Sequence, residues 1–350
     1  MTKISSSTQS PHAQASPQAI VLDRQTRMLR TAMGPAIARG LEDPEVVEIL
    51  YNPDTSLWFD RLGSGRAPTG VRLTPQDAER IIRLVASHLH VEVHAGAPII
   101  SAELPETGER FEGVLPPVTR APAFAIRKRA VGVFSLAQYV ADGIMSEAHA
   151  LALRQAVRER RNVLIGGGTS TGKTTLANAL LQVMADTGDR VILIEDTVEL
   201  QCLSEDHVPL RTKPGVVSMS DLVRSTMRLR PDRIVVGEVR GAEALDLLKA
   251  WGTGHPGGVA TIHAGSARGA LTRLEQLIQE AVVTVPRALI AEAVDLIVFI
   301  AGRGHARRVH ELVRVTDFNA EGYQLEPISK ESATDALAPA PEPSLFGDDL

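Results

Sequence analysis

The chain has 350 residues, enough for two domains with sizeable cores, and its 44% hydrophobic and 23% charged content is ordinary for a globular protein. A single cysteine, Cys202, excludes a disulfide framework and a cysteine-rich zinc site. The net charge of −5 is carried by Glu331, Asp335, Glu342, Asp348 and Asp349 in the last twenty residues, and the remaining body is neutral and only 3% of the chain is aromatic, so no direct nucleic-acid binding is expected.

The opening residues lack a signal-type apolar core, and the longest apolar run, 296–301, is strand-sized, so a cytoplasmic protein without a membrane span is expected. Residues 1–18, rich in Ser, Gln, Pro and Ala, read as a disordered arm. A helix is expected over 23–39, stopped by Gly40, followed by strands at 46–51 and 56–60. Thr74 is placed to cap a helix with Pro75 in its first position and Asp77 in its first turn. Ile81, Ile82, Leu84, Val85 and Leu89 form that helix's apolar side. Strands at 99–104, 110–115 and 123–127, separated by Pro and Gly turns, complete a smaller α+β N-terminal domain, 19–130. Residues 131–161 are expected to link it to a second domain through a helix near 146–160, whose Arg154, Arg158, Arg160 and Arg161 read as a solvated face.

From residue 162 to about 330, apolar strands alternate with helices: strands at 162–165, 190–196, 233–238, 259–263 and 296–300, and helices at 175–181, 220–228, 242–251 and from Pro286, before last strands at 308–315. That alternation predicts an α/β domain built on a mostly parallel sheet buried on both faces. The acidic, Pro-containing stretch 331–350 is expected to be disordered.

The most informative stretch is Gly167-Gly168-Thr169-Ser170-Thr171-Gly172-Lys173-Thr174, which lies between a strand and a helix and fits the phosphate-loop pattern G-x-x-x-x-G-K-[ST]. Glycines let successive backbone N–H groups converge on phosphates, and the helix N-terminus adds positive potential. Lys173 is expected to reach the β- and γ-phosphates of ATP and the Thr174 hydroxyl to ligate Mg²⁺, with Thr175 closing the loop. Ligands of open α/β sheets bind beyond the carboxyl ends of the strands, where Glu195, Asp196, Glu238 and His263 also fall. Glu238 is assigned as the acid that handles the attacking water, with Glu195 and Asp196 as competitors or Mg²⁺ partners through water. His263 is placed to sense the γ-phosphate, since a metal site with His255 lacks nearby Cys or paired acids. Arg224, Arg228, Arg230, Arg233 and Arg240 crowd around the Glu238 strand, and spacing does not choose among them. The 252–258 loop, Gly-rich around His255-Pro256, is a candidate for coupling the site to a neighbour.

The phosphate loop, Ile194-Glu195-Asp196 with Glu199, Arg228-Leu229-Arg230-Pro231-Asp232 leading to Gly237-Glu238-Val239-Arg240-Gly241, and Thr253 to His263-Ala264 resemble, in order, four motifs of the secretion ATPases. The wording Lys249-Ala250-Trp251-Gly252-Thr253-Gly254-His255-Pro256 is similar to the conjugal-transfer, TrbB-type branch of type IV secretion, and Pro98 to Pro105, Gly108 to Phe111 and Ile126 to Lys128 resemble its N-terminal domain. The resemblance implies a RecA-like P-loop ATPase domain, a homohexamer, Mg·ATP at the domain junction, and a peripheral position at the inner membrane among type IV secretion components. It implies further that Arg110 and Arg127 approach the γ-phosphate and that Arg240 belongs to the nucleotide site. Thr169-Ser170-Thr171 departs from the small Gly and Ser residues usual in that family's loop. The alternative is a type IV pilus or type II secretion motor, although the zinc module common in the latter is forbidden by the lone Cys202. A GTPase is disfavoured because no Asn-Lys-x-Asp motif occurs.

Overall fold

The computed structural model describes residues 17–105, 107–128, 134–213 and 215–328, with side chains from residue 24 onward. The expected arm at 1–18, save its last two residues, and the acidic stretch at 331–350 lie outside the described residues. The chain divides into two units, Met1–Arg129 and Ala130–Leu350. No described helix is long and apolar enough to cross a membrane.

The first unit runs α1 (Pro17–Glu42), β1 (Val46–Tyr51), β2 (Ser56–Arg61), β3 (Gly65–Arg72), α2 (Pro75–His88), β4 (Ile99–Glu103), β5 (Arg110–Val114) and β6 (Ala123–Arg127). The strands form one sheet in the order β3-β2-β1-β6-β5-β4, antiparallel at every pairing. Alternation sends Ile49, Tyr51, Phe111, Phe124 and Ile126 inward, where they pack with Ile37 of α1 and Ile81, Ile82 and Val85 of α2. Tyr51 and Phe111 stack on Phe124 at centroid distances of 5.2 and 5.7 Å. Thr74 caps α2 by accepting from the Asp77 amide. Leu89 lies one residue past α2 and is 40% exposed, so it does not join that core.

Two expectations for the first unit change. Helix α1 starts earlier and reaches Glu42, broken internally where Gly34 adopts φ 69° before Pro35, which has no N–H to give. Gly40 is therefore inside the helix, and it is a packing residue: a β carbon there would lie 2.7 Å from Phe59 Cζ and 2.9 Å from Ile49 Cδ1. Strand β3 was hidden in the sequence by Gly65, Pro68 and Gly70; glycine weakens a strand and proline, with no N–H for the ladder, is accepted at an edge, where β3 lies.

The second unit runs α3 (Leu136–Ala141), α4 (Glu147–Arg158), β7 (Val163–Gly167), α5 (Lys173–Ala185), β8 (Val191–Glu195), β9 (His207–Arg211), α6 (Met219–Thr226), β10 (Arg233–Val239), α7 (Glu243–Gly252), β11 (Val259–His263), α8 (Ala267–Ile278), α9 (Arg287–Ala293), β12 (Leu296–Ala301), β13 (Arg308–Asn319) and β14 (Gly322–Pro327). Its eight strands lie in the order β14-β13-β12-β7-β11-β10-β8-β9. All pairings from β12 to β9 are parallel, and β13 and β14 close one side antiparallel. Both faces are covered. Val163 and Ile165 of β7 pack with Leu153 and Val157 of α4 and Leu176 and Leu180 of α5. Leu164 faces the other core with Leu248 and Trp251 of α7, Leu274 of α8 and Ile290 of α9. The stretch 131–161, expected to link the units through one helix near 146–160, holds two described helices, α3 and α4, which supply part of this core through Leu136, Tyr139, Leu153 and Val157.

The amino edge of this sheet is held by buried polar groups. Asn162 Nδ2 donates to the Ala293 carbonyl at 2.8 Å, and its Oδ1 accepts from the Gly257 and Gly258 amides at 2.8 and 2.9 Å. Arg233, 1% exposed at the start of β10, donates through Nε to Asp189 at 2.6 Å and through a terminal nitrogen to the Gly257 carbonyl at 3.3 Å. Burial on its own raises the Asp189 carboxyl, but bonds from Thr187 and Arg233, with the charge of Arg160, hold it below the usual range. His255 Nδ1 lies 3.1 Å from the Pro231 carbonyl. The 252–258 loop is thus pinned at the amino edge, opposite the strand ends that carry 167–174, Glu238 and His263. Replacing Asn162 by Ala leaves three backbone groups without their partner, and at about 1–3 kcal/mol per buried unpaired group urea unfolding of the second unit should shift to a clearly lower midpoint.

Candidate functional site

Four neighbouring strands bring the polar groups together. In the sheet β7, β11, β10 and β8 are adjacent, and their carboxyl ends carry Gly167, His263, Glu238 and Glu195 respectively. His263 stands opposite Gly167 in register. The β10–β11 pairing is irregular between Val236 and Val239, a local break that re-aims Glu238.

The 167–174 loop turns with left-handed backbone at Ser170 (φ 61°) and Gly172 (φ 95°), the latter capping α5. A β carbon at Gly167 would meet the Ile300 carbonyl at 2.4 Å, so only glycine fits. Thr171 Oγ1 donates to the Gly168 carbonyl at 3.0 Å and Lys173 Nζ donates to the same oxygen at 3.0 Å, closing the loop on itself. Thr169, Thr174 and Thr175 lie in this loop and the first turn of α5.

A chain of charged groups runs from the loop across the sheet edge. Lys173 Nζ is 3.4 Å from His263 Nε2, which lies 2.8 Å from Glu238 Oε1. Glu238 Oε2 accepts from Arg240 at 2.5 Å, and Arg240 also reaches Asp196 Oδ2 at 3.3 Å. Glu238 Oε1 is buried, with His263 Nε2 beside it. Its neighbour Nε2 donates to Glu238 when protonated and accepts from Lys173 when not, so His263 is the exchangeable link in the chain. Burial by itself raises the Glu238 carboxyl, but the Arg240 bond and charge, with His263 and Lys173, hold it below the usual glutamate range.

Glu195 is buried and turned inward. Its Oε1 accepts from the Glu199 and Leu200 amides, each at 2.8 Å, and its Cγ lies 3.1 Å from where a Gly237 β carbon would be. Asp196 is half-exposed, accepting from Thr212 Oγ1 at 2.9 Å as well as from Arg240. Of the five arginines flagged around Glu238, Arg240 alone bonds it; Arg233 is locked at the opposite edge and Arg224 pairs with Asp246 at 3.0 Å. Arg110 and Arg127 sit in the first unit as register partners on β5 and β6, and Arg127 lies 3.8 Å from Glu48. Among the described residues, no group of three or more His, Cys, Asp or Glu is arranged to hold a metal ion. Sequence reading missed Asn162, Asp189, Thr212 and Arg307; the last packs its guanidinium against Gly172. None of these four lies in a recognisable motif.

Residues 71–311 match the family described as type II/IV secretion system protein. The chain belongs to that family. It is 49% identical over 305 residues to the conjugal transfer protein TrbB of Rhizobium radiobacter, covering 87% of this chain and 94% of that protein. It is 31% identical to the type IV secretion system protein PtlH of Bordetella pertussis, across 78% of this chain and 91% of that one. The ATPase DotB of Legionella pneumophila has a similar fold, with a TM-score of 0.56 at 18% identity over 93% of this chain and 88% of DotB. The α/β fold of the secretion family is therefore shared along most of the chain.

Because its folded-state pKa is lowered, ionised Glu238 stabilises the second unit above the usual carboxylate range, and that contribution is lost as pH falls through the folded value. Arg240→Ala leaves burial less opposed, so the Glu238 titration followed by carboxyl NMR should move to higher pH; an unmoved midpoint would show that the pair does not set it.

Proposed function

We propose that the protein is an ATP hydrolase whose RecA-like second unit powers conjugative pilus assembly and substrate transfer through a type IV secretion system. The observation that carries this reading is the continuous chain Lys173–His263–Glu238–Arg240–Asp196, which begins on a phosphate-loop sequence at one sheet edge. Similarity to conjugal transfer and type IV secretion proteins over most of the chain supports the assignment.

Backbone amides of Gly168, Thr169, Ser170, Thr171, Gly172 and Lys173, with the N-terminus of α5, cradle the phosphates. Lys173 exchanges its bond to the Gly168 carbonyl for the β- and γ-phosphates. The donor set suits Mg²⁺, a hard cation that keeps several waters: Thr174 would hold it directly and Asp196 through water. When bound, the ion neutralises charge that builds on the phosphate oxygens.

Glu238 offers Oε1, which now faces His263 Nε2, to the attacking water. A carboxylate held below its usual range is a weak base, so its part is to orient that water and to take the proton late. Arg240 fixes the Glu238 rotamer, and Glu195, through the 199–200 amides, is a positioning residue. His263, poised between Lys173 and Glu238, reports the γ-phosphate to the acid. The working assembly is a homohexamer at the cytoplasmic face of the inner membrane, docked on membrane components of the secretion system.

Glu238→Gln should retain ATP binding while turnover falls by about 10²-fold or more, and conjugative transfer from cells carrying it in place of wild type should be lost. Unchanged transfer despite abolished hydrolysis would redirect the assignment to a pilus motor. Lys173→Ala should abolish ATP binding itself, measured by calorimetry.

A further inference from the structure

Resting on the reading of 167–174 as a phosphate loop, we propose that Arg307 is a second cationic arm of the nucleotide site, contacting the α-phosphate shared by ADP and ATP. Strand β12 pairs with β7 so that Ile300 lies opposite Gly167, and the β12–β13 connection therefore leaves the sheet beside the loop. The connection is tightly shaped. Gly302 has φ 80°, and a β carbon on it would fall 2.1 Å from the Ala306 carbonyl oxygen, while a single 3-10 turn, Gly304–Ala306, delivers Arg307.

The guanidinium lies directly on the loop: a β carbon on Gly172 would be 3.0 Å from both Cζ and Nε of Arg307. Arg307 Nε is buried and donates to nothing. Close by, the hydroxyl of Tyr139, a residue 1% exposed, is likewise unpaired. Burial raises the Tyr139 hydroxyl's pKa, and the charge of Arg307 opposes that rise. A guanidinium with no acceptor on Nε, set at the positive end of α5, is an unfavourable arrangement that a bound anion relieves.

Topology says which part of the nucleotide that anion is. His263 and Glu238 lie on the β11–β10 side of β7, and Arg307 lies on the β12 side. If the γ-phosphate faces Glu238, the opposite flank of the loop faces the α-phosphate. Arg307 thus sets affinity for the nucleotide and not the rate of cleavage, a role different from that of Arg240, which is tied to the acid.

The test compares Arg307→Gln, Arg307→Lys and Lys173→Ala in the full chain, titrating ADP and ATP and reading kcat and KM separately. Binding is also read as the nucleotide-induced rise in Tm within each variant, so a general loss of stability cancels. Arg307→Gln should weaken ADP and ATP alike, by about tenfold or more, with the loss in KM and not in kcat, and Arg307→Lys should recover most of it. Wild-type ADP affinity in Arg307→Gln, a loss confined to kcat, or a Lys variant as weak as Gln would overturn the proposal, the last because it points to stacking on the base. Should Lys173→Ala bind ADP normally, the phosphate-loop reading itself fails; should it lose binding while Arg307→Gln does not, only the role of Arg307 falls.

Discussion

The near contact between Gly167 and the Ile300 carbonyl, 2.4 Å from where a β carbon would sit, constrains everything at the carboxyl edge of the second unit. Two parallel strands, β7 and β12, stay paired up to Gly167 and Ile300, so β7 must reverse immediately and without a side chain. The reversal is completed by left-handed backbone at Ser170 and Gly172 and by two bonds into the Gly168 carbonyl. From there α5 starts with Lys173 already pointed across β11 toward His263. The same close pairing carries the β12–β13 connection, and hence Arg307, onto the other flank of the loop.

Charge is balanced differently at the two edges of the sheet. At the amino edge, Asp189, Arg233 and Asn162 bond inward, and what they hold is backbone. That is a structural clamp, with its ions paired and the Arg233 side chain sealed from solvent. At the carboxyl edge Glu238 turns one oxygen to His263 and the other to Arg240, His263 stands between a cation and an anion, and Arg240 is shared between two acids. Charged groups that share partners in a row, beside a loop of backbone amides, mark the carboxyl edge as the place where a ligand completes the bonding.

Strongly periodic or capped segments were legible in advance. Strands 46–51, 123–127 and 259–263 lie where alternation or an apolar run places them, and α2 begins after Thr74 because the cap chemistry is local. Strand β3 was not legible, since its glycines carry no strand signal and its proline is tolerated by its edge position. Helix α8 carries a local signal of the same kind, with Ser266 as cap and Ala270, Leu271, Leu274, Leu277 and Ile278 buried on one side. Gly40 resembled a stop because a stop and a tight packing contact both select glycine.

The sequence alone determined the phosphate-loop spelling, the strand runs that end in acids and a histidine, and kinship with the secretion family, because each is written within a few consecutive residues. Only the tertiary structure decided that β11 and β10 lie between β7 and β8, which sets His263 and Glu238 in series with Lys173. It also decided that Glu195 turns inward, that Arg233 and the 252–258 loop belong to the opposite edge, and that Arg307 closes on Gly172. The physical reason is that strand order and register come from packing between segments far apart in the chain, which local periodicity does not encode.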